Sequence, residues 1–88
     1  MDSILRITVR FFASLREITA IDSIEIDLPH GSGSGDVMRA LRDDLDPNAL
    51  AAIEGDQVKV AVNQVILRTE QNLNDGDEVA FLPPITGG

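Results

Sequence analysis

The residues best suited to chemistry are the last two of the 88-residue chain, Gly87 and Gly88. Because glycine has no Cβ, a glycine pair can enter a channel that is too narrow for other residues. Such a pair can present its terminal carboxylate to the active site of another protein. The Gly88 carboxylate is therefore a candidate reactive group, and the alternative is that the two glycines are only a frayed chain end.

The residues before the glycines predict a stiff approach to that group. Pro83 and Pro84 fix φ near the extended value and restrict the residue before each of them. Ile85 and Thr86 follow, so the tail (residues 83–88) is predicted to be extended, with a flexible tip. It begins where a predicted strand ends.

The rest of the chain contains no catalytic set of its own. The absence of cysteine excludes disulfides, thiolate metal sites and a cysteine nucleophile. His30 is the only histidine, and no serine has a partner base at the level of the sequence. Asp75, Asp77 and Glu78 lack the twelve-residue calcium loop, so we expect a solvated turn and no metal site. The chain is therefore predicted to be a substrate or carrier that is not catalytic by itself.

A glycine-rich segment, Gly31-Ser32-Gly33-Ser34-Gly35, precedes the predicted helix. Turns of this kind can bind phosphate through backbone N–H groups. However, no Lys-Ser or Lys-Thr pair follows, and no third glycine stands at the dinucleotide-binding spacing. We interpret the segment as a flexible loop between a strand and a helix.

Composition limits the classes of partner. Fifteen acidic and seven basic residues give a formal charge of −8. A negative charge of this size disfavours binding to nucleic acid and anionic membranes and favours binding to a basic protein. The alternative is that the charge only keeps the protein soluble. No apolar run approaches the roughly 20 residues of a membrane-spanning helix. Met1-Asp2-Ser3 leads into a strand pattern without a signal sequence, so a cytoplasmic protein is expected. Residues 1–88 are predicted to form a single domain, too small to enclose a deep pocket.

Hydrophobic periodicity predicts an α+β fold in which one main helix crosses a mixed sheet. The predicted order is ββαββ, with the terminal strand running into the tail, and the first two strands are expected to form a hairpin. The predicted strands cover residues 5–11, 24–28, 58–62, 65–67 and 78–82. The helix covers residues 34–45, with Ser34 or Asp36 as its cap and Pro47 just beyond its end. A short second helical turn is predicted at 49–53.

Two large apolar residues are out of phase with the buried face of their strands. If Phe11 points inward, Phe12 points outward, and Leu82 has the opposite phase to Val79 and Phe81. An exposed apolar patch near the tail would be a docking surface. The alternative is that Phe12 lies under the loop from Ser14 to Ala20.

The chain resembles a known family in three segments. These are FFASLRE at residues 11–17, VNQ at 62–64 and DGDEVAFLPPITGG at 75–88. They are similar to the sulfur-carrying small subunit of molybdopterin synthase, the MoaD type, in the ubiquitin-like family that also includes the thiamin sulfur carrier. The resemblance spans nearly the whole chain and implies a ubiquitin-like β-grasp fold.

The resemblance also implies a reaction sequence. An E1-like adenylyltransferase would use ATP to adenylate the Gly88 carboxylate, and a sulfur donor system would convert the adenylate into a thiocarboxylate. The large subunit of the synthase would receive the tail, and the sulfur would pass to cyclic pyranopterin monophosphate to form the molybdopterin dithiolene. The two kinds of subunit would form a heterotetramer, and this chain itself would bind no cofactor. A thiocarboxylate supplies nucleophilic sulfur without a cysteine.

The resemblance further implies which residues bind the partner. Phe12, Ile66 and Leu82 match the family's apolar contact positions, and Leu82 stands where phenylalanine is common. The tail residues Pro83, Pro84, Ile85 and Thr86 would be held extended for insertion, and Gly87 would give the tip its freedom. Two alternatives use the same activated carboxylate: a sulfur carrier for another pathway, such as thiamin thiazole synthesis, and a ubiquitin-like protein modifier.

Overall fold

The computed structural model describes residues 3–84. Its elements are β1 (Ile4–Phe11), α1 (Ala13–Thr19), β2 (Ser23–Pro29), α2 (Ser34–Leu41), α3 (Pro47–Ile53), β3 (Lys59–Val62), β4 (Val65–Ile66) and β5 (Glu78–Leu82). The five strands form one mixed sheet in the order β2-β1-β5-β3-β4. The predicted α+β class is confirmed.

The centre of the sheet pairs the first and last strands. β1 and β5 run parallel, with Phe11 opposite Phe81, and β2 pairs antiparallel with the other edge of β1. β3 pairs antiparallel with the free edge of β5, with Lys59 opposite Leu82. Strand β5 therefore lies in the middle of the sheet. Its hydrogen bonds to β1 and β3 fix its last residues, from which the tail departs.

The core lies between the sheet and the helices. Inward residues of β1 and β5 alternate as the sequence predicts, and Phe11 and Phe81 stack with ring centroids 5.7 Å apart. Helix α2 contributes Val37 and Leu41, both fully buried. Such burial of large apolar side chains provides most of the favourable free energy of a small domain. The face of the sheet that carries the core is called the inner face below, and the opposite face the outer face.

Helix α1 is absent from the sequence prediction, which expects a loop between the first two strands. The helix is short, and Leu15 is its only buried residue, so it leaves no helical repeat of apolar positions. It ends at Ala20, which has a φ of 60° in the left-handed region.

The two predicted helices differ in length from those in the structure: α2 is shorter than the predicted main helix, and α3 is longer than the predicted second helical turn. Helix α2 ends at Leu41, four residues before the predicted end. Leu45 is buried, but it lies in the turn that follows the helix. Helix α3 begins at Pro47, which suits the first helical position because its missing N–H needs no partner there. Asp46 caps the helix, since its Oδ1 accepts a hydrogen bond of 2.7 Å from the Ala49 N–H.

The glycine-rich segment is tied into the fold. The Gly33 N–H donates to Oδ2 of Asp36 at 2.9 Å, so Asp36 caps α2, whereas the Ser34 hydroxyl accepts from the Gln71 N–H. A Cβ at Gly35 would lie 2.9 Å from Oε1 of Glu70. The flexible-loop prediction is therefore wrong for Gly33 to Gly35, whose glycines make room for the Glu70 carboxylate beside the start of the helix.

Candidate functional site

The outer face carries an apolar groove at the point where β5 ends. We call it the outer groove. The sequence-predicted partner-binding residues among the described ones all line it, together with residues that the sequence analysis did not select. The sequence-predicted residues are Phe12, Ile66, Leu82, Pro83 and Pro84. The additional ones are Arg10, Ala13, Gln57, Lys59, Ala61, Gln64, Glu78 and Ala80.

Strand β5 places Leu82 in the outer groove. Val79 and Phe81 point into the core, and the two-residue period then turns Ala80 and Leu82 to the outer face. Leu82 lies opposite Lys59 on β3 and is half-buried. The outward orientation predicted for Leu82 is confirmed, and Pro83 continues the groove directly after it.

Phe12 lies on the other side of Leu82. Its N–H donates to the Phe81 carbonyl oxygen at 3.3 Å, which extends the pairing of β1 with β5 by one residue. The guanidinium carbon of Arg10 lies 4.8 Å from the centre of the Phe12 ring, a cation–π contact. The structure therefore places Phe12 on the outer face with Arg10, and the alternative beneath the loop of residues 14–20 is wrong.

Two small residues form the floor of the outer groove. Ala61 on β3 and Ala80 on β5 lie opposite each other and are only 3% and 5% exposed, although neither belongs to the inner core cluster. Ile66 lies opposite Ala61 on β4, and its side chain remains largely exposed. Because alanines leave the space above them open, the larger side chains around them enclose a depression. Their outward phase was visible in the sequence, but their adjacency depends on strand register.

Asn63 fixes the wall of the groove that carries Ile66. Asn63 makes two hydrogen bonds to the backbone of Glu78: its N–H donates to the Glu78 carbonyl oxygen at 2.8 Å, and its Oδ1 accepts from the Glu78 N–H at 3.0 Å. The side-chain Nδ2 of Asn63 also donates to Oδ1 of Asp77 at 2.9 Å. Asp77 also accepts from the Asn74 N–H at 2.7 Å and is buried, so the predicted solvated turn is tied to the sheet. Asn63 belongs to the VNQ segment that carries the family resemblance, but the sequence alone does not reveal this bridge.

Charges are sparse around the outer groove. Arg10 and Glu78 face each other with Nη1 and Oε2 3.7 Å apart, and Lys59 is the other charged residue that lines it. Arg6 lies farther back on β1, where a hydrogen bond to Asp27 and the charges of nearby carboxylates raise its pKa. The groove walls are therefore mainly apolar. The part of the groove nearest to Pro83 and Pro84, a cavity of about 690 Å³, suits apolar side chains of another protein.

The predicted reactive end, Gly87 and Gly88, lies outside the described residues, as do Ile85 and Thr86. Within residues 3–84, no group of three or more His, Asp or Glu side chains is arranged to hold a metal ion. The described helices include none long and apolar enough to cross a membrane. The outer groove, ending at Pro84, is therefore the candidate site that the structure describes.

Known proteins resemble the chain over nearly its full length. The model of the ThiS family matches residues 9–88. The molybdopterin synthase sulfur carrier subunit of Escherichia coli K12 is 39% identical over 84 residues, which cover 93% of this chain and 99% of that protein. Small archaeal modifier protein 3 of Haloferax volcanii is 33% identical over 94 residues, which cover 96% of this chain and all of that protein.

Solved structures resemble the fold. The solution structure of the HVO 2177 protein of Haloferax volcanii superposes with a TM-score of 0.77 at 30% identity, covering 97% of this chain and 88% of that one. A chain in the complex of subunits 1 and 2 of the molybdopterin-converting factor of Helicobacter pylori superposes with a TM-score of 0.62 at 22% identity. That match covers 96% of this chain and all of the other, and it concerns the fold alone.

Proposed function

This chain belongs to the ThiS family and has the ubiquitin-like β-grasp fold, and we propose that it is the sulfur-carrier small subunit of molybdopterin synthase. The observation that carries the proposal is the nearly full-length match to the sulfur carrier subunit of Escherichia coli. The position of the outer groove supports it, because the groove lies at the root of a tail that ends in two glycines.

In the proposed reaction, the chain supplies a carboxylate and its partners supply the catalysis. An E1-like adenylyltransferase binds ATP and joins AMP to the Gly88 carboxylate, with release of pyrophosphate. A carboxylate is a poor electrophile, whereas the acyl-adenylate has AMP as a good leaving group. A donor system then delivers sulfur at the oxidation level of sulfide, which attacks the acyl carbon; AMP leaves, and Gly88 carries a thiocarboxylate.

The second half of the proposed reaction takes place on the large subunit of molybdopterin synthase. The Gly88 thiocarboxylate donates its sulfur to cyclic pyranopterin monophosphate, and the dithiolene of molybdopterin is built from two such transfers. After each sulfur has bonded to the pterin, water hydrolyses the bond between that sulfur and the Gly88 acyl carbon, which returns Gly88 to a carboxylate. The large subunit supplies the pterin pocket and the acid–base groups.

The outer groove gives the large subunit a fixed surface from which the tail departs. Apolar side chains of the partner would displace water from Phe12, Ile66 and Leu82, and such contacts contribute most of the binding energy of an interface. Because β5 is paired on both edges, docking at its end also fixes the direction in which Pro83 and Pro84 leave the sheet. Docking at the groove thus positions the tail, so that Gly87 and Gly88 reach the active site of the large subunit.

Deletion of Gly88 tests the proposal. The shortened chain should bind the large subunit through the outer groove, yet molybdopterin formation from cyclic pyranopterin monophosphate should fall to background because the acyl group is misplaced by one residue. The control is the full chain prepared in the same way with the adenylyltransferase, ATP and sulfur donor. Undiminished molybdopterin formation by the shortened chain would rule the proposal out.

The two alternative functions give different products from the same chain. A carrier for thiazole synthesis should co-purify with a thiazole synthase, and a protein modifier should form adducts through Gly88 to lysines of other proteins. The similarity to a small archaeal modifier protein makes the second alternative the one to measure alongside the synthase assay. A tagged chain that yields no higher-mass adducts in cells would count against it.

A further inference from the structure

Lys59 differs from most other basic residues in having no ion-pair partner among residues 3–84, the part of the chain that the structure describes. It is the only lysine among the seven basic residues, the others being arginines. Five of the arginines lie within 4.0 Å of a carboxylate oxygen: Arg6, Arg10, Arg16, Arg39 and Arg42. No carboxylate of residues 3–84 lies that close to the Lys59 ammonium, although the chain has 15 acidic residues.

The Lys59 ammonium lies beside the root of the tail. Lys59 is the first residue of β3 and lies opposite Leu82, the last residue of β5. Its side chain is exposed and lines the outer groove together with Pro83 and Pro84. Any protein that covers this groove and receives the tail must therefore cover Lys59 as well.

Lys59 also determines the sign of the charge in the groove. The other two charged residues that line it, Arg10 and Glu78, form a pair and offset each other. Among the described residues that line the groove, one positive charge therefore remains, whereas the chain as a whole carries −8. The basic partner that the total charge favours would meet a local charge of its own sign here.

We infer that Lys59 contacts a carboxylate of the protein that docks on the outer groove, an inference that rests on the proposed function for the existence of such a partner. A docked partner removes water from the ammonium, and a cation left without water or a counter-charge is unfavourable. The four-carbon stem of lysine can pack on the apolar groove while its ammonium reaches the edge. An Asp or Glu of the partner would then fix the docked chain next to the point where the tail leaves.

Such a contact affects which partner binds to the groove more than it affects the sulfur-transfer reaction. Opposite charges across an interface favour the correct partner, and like charges facing each other disfavour the wrong one. A protein that presents an apolar ridge with Lys or Arg at this position would bind poorly, even though the chain is acidic overall. Lys59 is thus a specificity-determining residue of the outer groove.

Cross-linking with a carbodiimide tests the contact directly. The reagent couples a carboxylate to an amine that touches it, forming an amide while the reagent takes up the lost water as a urea. Because Lys59 is the only lysine, a peptide that joins it to an Asp or Glu of the molybdopterin synthase large subunit identifies the contact by mass spectrometry. Lys59→Arg should bind the large subunit within about threefold of the original chain and lose this cross-link, because guanidinium keeps the charge but does not couple.

Binding measurements give the second test, with Arg39→Met as the matched control. Lys59→Met should raise the Kd for the large subunit about tenfold and weaken its dependence on salt. Arg39 lies on helix α2, on the other side of the sheet, so its replacement removes the same charge and should change the Kd less than about twofold. Equal binding by Lys59→Met and the original chain, or no cross-link at Lys59 in a complex that forms, would overturn the inference but leave the proposed function standing. Failure of the original chain to bind the large subunit would overturn both.

Discussion

At the scale of single residues, exposure alone does not identify the side chains that we propose to dock on the partner. Val65 and Ile66 are neighbours on β4, and both expose more than half of their surface, 65% and 55%. Only Ile66 lines the outer groove, because successive residues of a strand point to opposite faces. Their different roles follow from orientation and offer a direct test of the groove.

Ile66→Ala should weaken binding to the large subunit by about 1–2 kcal/mol, or roughly 5- to 30-fold in Kd, because it removes apolar area from the interface. Val65→Ala removes a similar side chain from the same strand and should leave the Kd within about twofold. Titration calorimetry with both variants measures the difference. Equal losses in the two variants would show that the partner does not dock through the outer groove.

At the scale of elements, the β3–β4 hairpin holds one wall of the groove in place. Its turn residues, Asn63 and Gln64, both have positive φ, 49° and 72°, between the paired Val62 and Val65. Two positive φ values in a two-residue hairpin turn are typical of type I′, which favours Asn-Gly. Asn63 suits its position and also anchors the hairpin to β5, whereas Gln64 is strained.

Gln64→Gly should raise the free energy of unfolding by about 0.5–1 kcal/mol, because glycine adopts positive φ without a Cβ clash. Gln64→Ala is the matched control, since it removes the side chain but keeps the Cβ, and it should give no gain. Chemical denaturation of the three proteins measures the effect. A gain in the alanine variant equal to that in the glycine variant would mean that the side chain, and not the backbone strain, destabilises this turn.

At the scale of the whole molecule, one face of the sheet carries the core and the opposite face carries the groove that we propose binds the partner. The inner face carries the core with its stacked Phe11 and Phe81, and the outer face carries the groove with Phe12. Phe81 is 1% exposed, whereas Phe12 is half-buried and lies under Arg10. Stability and docking can therefore be changed independently, although the residues concerned lie on adjacent strands.

Replacing these two phenylalanines by leucine should separate the two properties. Phe81→Leu should lower the free energy of unfolding by about 1–2 kcal/mol through lost packing and leave the Kd for the large subunit nearly unchanged. Phe12→Leu should weaken binding severalfold and change stability by less than about 1 kcal/mol. Thermal unfolding and titration calorimetry on both variants provide the comparison, and parallel losses in both properties would contradict the separation.

The sequence predicted the parts of the fold in which local pattern decides structure. The alternation of Leu5, Ile7 and Val9 was sufficient to predict β1, and the prolines marked the end of β5. Helix α1 was missed because Leu15 alone is buried in it, and α2 was extended too far because Leu45 continues the helical spacing from a turn.

The candidate site was predictable to the extent that its residues match a family. Phe12 and Leu82 were selected by their strand phase as well as by resemblance, and Ile66 by resemblance alone; the structure brings all three together with Pro83 and Pro84. Lys59 was not selected, because its position beside Leu82 depends on how β3 pairs with β5, two strands separated by a long stretch of chain. The same register places Ala61 opposite Ala80 and so forms the floor.

The most direct test of the central claim is the intact mass of the chain at two stages. Incubation with the adenylyltransferase, ATP and sulfur donor should add about 16 Da, the difference between sulfur and oxygen, at the terminal residue. Addition of the large subunit and cyclic pyranopterin monophosphate should return the chain to its starting mass as molybdopterin forms. A mass that never increases, or one that increases by a whole protein, would contradict the account of Gly88 as a sulfur carrier.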